Sequence, residues 1–219
     1  MNFLPLWRYY DHFVEGVVVT LELTLVAAIA GLIIGTAGAV ALKSRVRPVA
    51  FLVRAYVEIF RNTPSLIQIF LIFFVLPTFG LKLPAFEAAA VALSLYFGAY
   101  STEIVRSGLD SVPKSQIEAG HCLGLTSWQV FRHVVLPPAL RNAYPAATSQ
   151  FVLLLLGTSL ASQVAAGELF HVAGFVESRT YRSFEVYAVI CVLYFAMAMG
   201  FKALFTVVGL LAFRWPRRR

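Results

Sequence analysis

The sequence predicts an all-α fold, a polytopic transmembrane helical bundle of five spans, and three observations predict it. First, of 219 residues 59% are hydrophobic and only 13% charged, with a mean hydropathy of +0.78. Second, charge is nearly absent from long stretches. Residues 17–42 hold only Glu22, 62–81 and 142–167 hold none, and 186–213 hold only Lys202. Each approaches or exceeds the roughly 20 residues that cross a bilayer's hydrocarbon core. A weaker stretch at 87–105 has an uncharged centre, 88–102. Third, the cations are placed asymmetrically. With the N-terminus outside, twelve lysines and arginines fall inside, including Lys43, Arg45, Arg47, Arg54, Arg106, Lys114, Arg132, Arg141, Arg214, Arg217, Arg218 and Arg219. Only four, Arg8, Lys82, Arg179 and Arg182, fall outside. That is a positive-inside bias, and it puts the C-terminus and the 107–141 loop in the cytoplasm.

These observations divide a single domain, 1–219, into spans at about 17–42, 57–81, 87–106, 142–167 and 186–213. The same charge placement accounts for the net +7 as membrane topology rather than a nucleic-acid surface. Cys122 falls in the loop and Cys191 in the last span, so they neither pair nor build a metal motif. The first apolar run is too long for a cleavable leader and is expected to serve as an uncleaved targeting signal.

In the first span Ala27, Gly31, Gly35 and Ala39 repeat at four-residue spacing. Such a stripe lets another helix approach closely, within this chain or in a second subunit. The second span opens on a charged stretch, with Glu58 and Arg61 at i,i+3, close enough to pair on a helix. Pro64 then bends that helix. In the third span Tyr96, Tyr100 and Glu103 share one face. Glu103 is either neutralised by Arg106 or Arg61, or acts on substrate or gating. Lys202 either snorkels from the last span or faces a cavity.

The loop between the third and fourth spans reads as two short helices. Ser115-x-x-Glu118 and Thr126-x-x-Gln129 have the form of capping boxes. Gly124 separates them as a helix stop, and Pro137-Pro138 is expected to end the second helix. Trp128, Phe131 and Leu136 give this knob an apolar surface. Without further information an interfacial hairpin on lipid headgroups is the competing reading.

The knob resembles the EAA motif of ABC importer permeases, in which Glu-Ala-Ala, three residues, Gly, nine residues and Ile-x-Leu-Pro follow one another. Glu118, Ala119, Gly124, Leu136 and Pro137 match in identity and spacing; Gly120 replaces the second Ala and Val134 the Ile. Phe60-Arg-Asn-Thr-Pro64 with Gln68, the stretch Ala99 to Gly108, and Thr158-Ser159-Leu160 are similar to the polar amino acid branch of these permeases. The resemblance covers most of 14–212. It implies a five-span half-transporter in a bacterial inner membrane, working as a dimer with itself or a sister permease. Two ATPase subunits holding ATP and Mg, and a receptor protein that delivers the amino acid, would complete it. Leu156-Gly157 departs from the pattern, since relatives often carry a charged pair there.

The resemblance makes Glu118, Ala119, Gly120, Gly124, Trp128, Leu136 and Pro137 the ATPase-coupling candidates. Polar groups in apolar spans need partners, which nominates Gln68, Tyr100, Glu103, Thr158, Ser159 and Gln163 for the substrate path. No Gly-x-x-x-x-Gly-Lys-Ser/Thr loop is present to cradle phosphates, so hydrolysis is expected of another polypeptide and this chain is expected not to be an enzyme. His12, His121, His133 and His171 lack ligand spacing, and no metal or cofactor is expected on the chain. Two other classes stay open: an ion-coupled secondary transporter, against which stand five spans and no internal repeat, and a membrane scaffold that does not transport.

Overall fold

Helix α1, Tyr10–Leu42, continues from a 3-10 turn at Leu4–Tyr9 and is the longest element. The computed structural model describes residues 3–44 and 46–213. The predicted inside charges Arg45, Arg214, Arg217, Arg218 and Arg219 lie outside the described residues. Among the described residues the fold is helical, with no strand. Four helical stretches are long and apolar enough to cross a membrane: Leu4–Leu42, Ala85–Asp110, Ser127–Val164 and Ser183–Ala212. A bent pair, Arg47–Arg61 with Ser65–Phe79, brings the number to five when counted as one span.

The glycine stripe of α1 packs within the chain. It lies against α4, Ala85–Asp110. A Cβ on Gly31 would meet Ser94 O at 2.8 Å, and one on Gly38 would meet Thr102 Oγ1 at 2.6 Å. Backbones this close are possible only because those side chains are missing. Thr24, Ser94 and Thr102 return their hydroxyls to carbonyls four residues back, so these three are satisfied within their own helices.

The second span departs from expectation. Helix α2, Arg47–Arg61, is separate and meets the following Ser65–Phe79 stretch at 110°. Pro64 is extended (φ −62°, ψ 132°) and starts α3, Ser65–Phe70. A proline disfavours helix in the residue before it and offers no amide, so the chain turns at 62–64 instead of bending. Gln68 closes the break: its Nε2 donates to Phe60 O at 3.0 Å, Thr63 O at 3.2 Å and Thr63 Oγ1 at 2.8 Å. A π turn, Leu71–Val75, and a 3-10 turn, Leu76–Phe79, finish this segment. The expected Glu58–Arg61 pair does not form. Glu58 accepts from Asn62 Nδ2 at 3.0 Å, while Arg61 lies 5.2 Å over the Tyr100 ring.

After α4 the chain forms α5, Lys114–Cys122, and α6, Ser127–Gln129, and then runs through a π turn, Val130–Val135, into α7, Leu136–Gly157. Pro137 and Pro138 thus do not end a helix. They sit in the first turn of α7, and the wider π turn before them leaves room for rings that would clash in a regular helix. A 3-10 segment, Thr158–Val164, follows, then α8, Leu169–Thr180, and α9, Ser183–Ala212.

The main core joins Leu23 and Ala27 of α1, Ile69 of α3, Leu93 and Phe97 of α4, and Leu154 of α7 with Ala161 and Val164. A second core holds α8 against Leu6 and Phe13 at one end and Val186 and Ile190 at the other.

Candidate functional site

The knob begins at Pro113, which occupies the position before α5. Ser115 therefore already lies within the first helical turn, and the expected Ser115–Glu118 capping box is absent, because a cap needs a non-helical backbone one step outside the helix. The second box forms in full: Gln129 N donates to Thr126 Oγ1 at 3.3 Å and Thr126 N to Gln129 Oε1 at 2.9 Å. Between them Gly124 adopts φ +79°. Leu125 N bonds Gly120 O at 3.2 Å and Gly124 N bonds His121 O at 2.9 Å. This 6→1 and 5→2 pairing is a Schellman stop, and its left-handed residue favours glycine.

The two arms pack closely. Gly120 is buried, and an added Cβ would stand 3.1 Å from Val130 Cγ2. The Gly found where the EAA pattern has Ala thus makes room for Val130. Facing outward, Leu123 is 81% exposed and Trp128 66%, with Trp128 stacked on Phe131 at 5.8 Å. Glu118 and Ala119 are exposed too, and Glu118 has no side-chain partner among the described residues. Leu136 is half-buried and Pro137 exposed.

The knob is rooted on α4 and α7. Asn142 Nδ2 donates to Ser111 Oγ at 2.8 Å, and Gly108 lets Ala139 O within 2.7 Å of where its Cβ would be. At the same end of α4, Arg106 pairs with Glu103 at 2.6 Å and Asp110 at 2.9 Å, and Lys43 pairs with Asp110 at 3.0 Å. Partly exposed pairs of this kind contribute about 0–1 kcal/mol each; their larger effect is to tie the end of α1 to the end of α4. A cavity of about 400 Å³ lies beside them, between α2 and the ends of α1 and α4.

The six substrate-path candidates separate into two places. Tyr100 and Glu103 belong to this charged region, with the Tyr100 ring tilted against Tyr96 at 4.9 Å between centroids. Gln68 and Thr158 are buried where α3 packs on the 3-10 segment; Ser159 is half-buried and Gln163 exposed on that segment. Gln68 Oε1 has no hydrogen-bond partner although it is buried. Thr158 and Ser159 donate to Leu155 O and Leu156 O at 2.7 and 2.8 Å. Lys202 is exposed along a groove between α7 and α9.

Sequence reasoning missed Glu168. It is fully buried, caps α8 by accepting from Phe170 N at 3.0 Å and His171 N at 2.8 Å, and accepts from Tyr194 Oη at 2.5 Å. Thr20 Oγ1 accepts from Leu169 N at 3.1 Å beside it. Together they join α1, α8 and α9. Glutamate is not a favoured cap. The available signal was its position, a carboxylate bordering a 26-residue uncharged run, where any charge needs partners.

The geometry defines a class: a polytopic helical membrane protein that presents an apolar-tipped knob between α4 and α7. Residues 25–219 match the family of binding-protein-dependent transport system inner membrane components, and the chain belongs to that family. The L-cystine transport system permease protein TcyB of Bacillus subtilis is 40% identical over 164 residues, covering 75% of this chain and 70% of that one. A probable glutamine ABC transporter permease protein, GlnM of the same species, is 34% identical and covers 91% of this chain and 92% of its own. Among solved structures, an amino acid ABC transporter with histidines superposes with a TM-score of 0.89 at 34% identity, over 95% of this chain and 98% of that one. Membership makes this chain the membrane subunit of an inner-membrane transporter, in preference to an ion-coupled carrier or a passive scaffold.

Proposed function

We propose that the chain is the permease of an ATP-driven amino acid importer, with its N-terminus outside and its knob in the cytoplasm. It pairs with an identical or sister permease, receives its substrate from a receptor protein, and carries no ATPase site of its own. ATP and Mg belong to separate ATPase subunits that grip the knob at 115–137. One observation carries this reading: the knob holds its own shape internally yet leaves Glu118, Leu123 and Trp128 uncovered. An exposed tryptophan stacked on Phe131 is the kind of aromatic anchor in which interface hot spots are enriched. Glu118 is free to meet a basic residue because the cap it was expected to share is not made. Movement pushed into the knob passes to α4 through Ser111 and Gly108 and to α7 through Asn142 and Ala139.

For the path, the reading favours the seam where α3 meets the 3-10 segment. Two interrupted helices come together there, and irregular backbone at membrane depth is tolerated where it is buried in protein or lines a cavity. Gln68, Thr158, Ser159 and Gln163 bring polar atoms to it. Glu103 is occupied by Arg106, with Tyr100 alongside, and is read as a structural anchor. The relatives named for cystine and glutamine, together with the amino acid transporter superposed above, support an amino acid substrate.

The test measures substrate-stimulated ATP hydrolysis in the reconstituted complex. Glu118→Lys or Trp128→Ala is expected to lower it about tenfold, as loss of a hot spot does, with the permease still folded. Full coupling in both variants would remove the knob as the contact. For the path, Gln163→Ala is expected to raise the KM for uptake more than Glu103→Gln does.

A further inference from the structure

We infer that the charged cavity and the apolar groove next to it form one binding site for an anionic phospholipid. Its phosphate would lie at Arg54 and Arg61, and an acyl chain would run along α1. Four cations and three carboxylates line the cavity. Lys43 and Arg106 are balanced by Asp110 and Glu103. That leaves Arg54, Glu58 and Arg61, a residual charge of +1. Among the described residues Arg54 has no ion pair or hydrogen bond through its guanidinium, and Arg61 makes neither, lying over the Tyr100 ring within electrostatic reach of Glu103. Arg54 and Arg61 line the cavity from one face of α2, and a guanidinium binds a phosphate bidentately. At about 400 Å³ the cavity falls within the ~300–1,000 Å³ of small-ligand sites.

The groove supplies the other half of the ligand. Leu32, Ile33, Ala37, Val40 and Val49 line it, and Lys43 lines both groove and cavity, so the two are continuous. Ile33 is 66% exposed and Val40 65%. The position fits a bilayer surface, because Leu42 ends α1 and Asp110 ends α4. Helix α2 fits it as well. Leu52 and Ile59 are exposed away from the Arg54–Arg61 face, the pattern of a helix lying in the interface. Basic pockets between membrane helices hold anionic headgroups by the same logic. The charge balance points to this occupant, since an apolar subunit surface would leave the cavity's net positive charge unmatched.

The experiment offers the detergent-purified transporter complex phosphatidylglycerol or phosphatidylcholine in equal amounts and counts retained lipid by native mass spectrometry. Phosphatidylglycerol is expected to be retained about tenfold better, and Arg54→Ala with Arg61→Ala is expected to abolish that preference. Ala37→Phe, which fills the groove and keeps every charge, is expected to lower retention too. Should the double variant fail to assemble, Arg54→Gln alone serves, because Arg54 has no partner to lose. Equal retention of the two lipids, or unchanged preference in the arginine variants, overturns the proposal. So does displacement of the lipid by glycerol 3-phosphate at equal concentration with no effect of Ala37→Phe, which would mark a site for a free anion. Loss of the second permease with lipid retention intact would assign the face to a subunit contact instead.

Discussion

Helices α4 and α9 are both long enough to cross a membrane, yet the more apolar of the two is the less buried. In α4 the most apolar window has a mean hydropathy of 1.3 and is 61% buried; in α9 it is 2.0 and 6% buried. Composition explains the inversion. Helix α4 brings alanines, Gly98, Gly108, Ser94, Ser101 and Thr102 to its neighbours, while α9 carries Phe195, Leu204, Val207 and Leu210 on exposed faces. Where lipid is as apolar as leucine, large side chains gain nothing by turning inward, and helices meet through small ones. Hydropathy thus locates a span, and small residues locate its partner.

The largest way to break the comparison is to give α1 the bulk of α9. Gly35→Leu would put a Cβ 2.9 Å from the Ser101 carbonyl carbon and against the Ser101 side chain. Overpacking costs about 1–3 kcal/mol and more where backbone opposes it. Loss of the monodisperse complex by size exclusion is expected; a normal elution profile and melting temperature would show that the seam yields. Next comes Glu168→Ala, which strands Tyr194 Oη and two α8 amides and is expected to destabilise by about 1–3 kcal/mol. Tyr194→Phe should lose less, and thermal unfolding of the pair checks the order. Gly124→Ala, forced to φ +79°, is expected to cost about 1 kcal/mol, read as faster proteolysis of the knob. Smallest is Leu210→Ala on the bare side of α9, expected within about 0.5 kcal/mol in the isolated chain. A larger loss confined to the assembled complex would show that a subunit covers that face.

Long apolar helices were legible because charge in hydrocarbon is expensive: the runs 17–42, 142–167 and 186–213 fall on Leu4–Leu42, Ser127–Val164 and Ser183–Ala212, the first two of which begin well before the runs do. The Gly124 stop and the Thr126–Gln129 box were legible because each is a local geometry with its own chemistry. Three features were not. Ser115 has the right spacing for a cap, but Pro113 starts the helix before it. Pro64 and Pro137 carry the same local signal with opposite outcomes. At Pro64 the chain turns, with Gln68 taking up the freed carbonyls, whereas at Pro137 a π turn absorbs the ring. Helix α8 and Glu168 depend on Thr20 and Tyr194, distant in sequence, so no local pattern announces them. In the knob, identity and spacing found the residues, but only packing explains Gly120, whose need for space is set by Val130.

The π turn at Val130–Val135 has a mechanical meaning. Leu136 N–H reaches Phe131 O, five residues back, so this turn holds one residue more than an α turn would. Each helical residue advances the chain by about 100°. A single surplus residue therefore sets the compass heading at which the Trp128–Phe131 tip leaves the axis of α7. Deleting Arg132 or His133 there would keep every apolar side chain of the knob and would leave the tip facing roughly a quarter-turn away from its present heading.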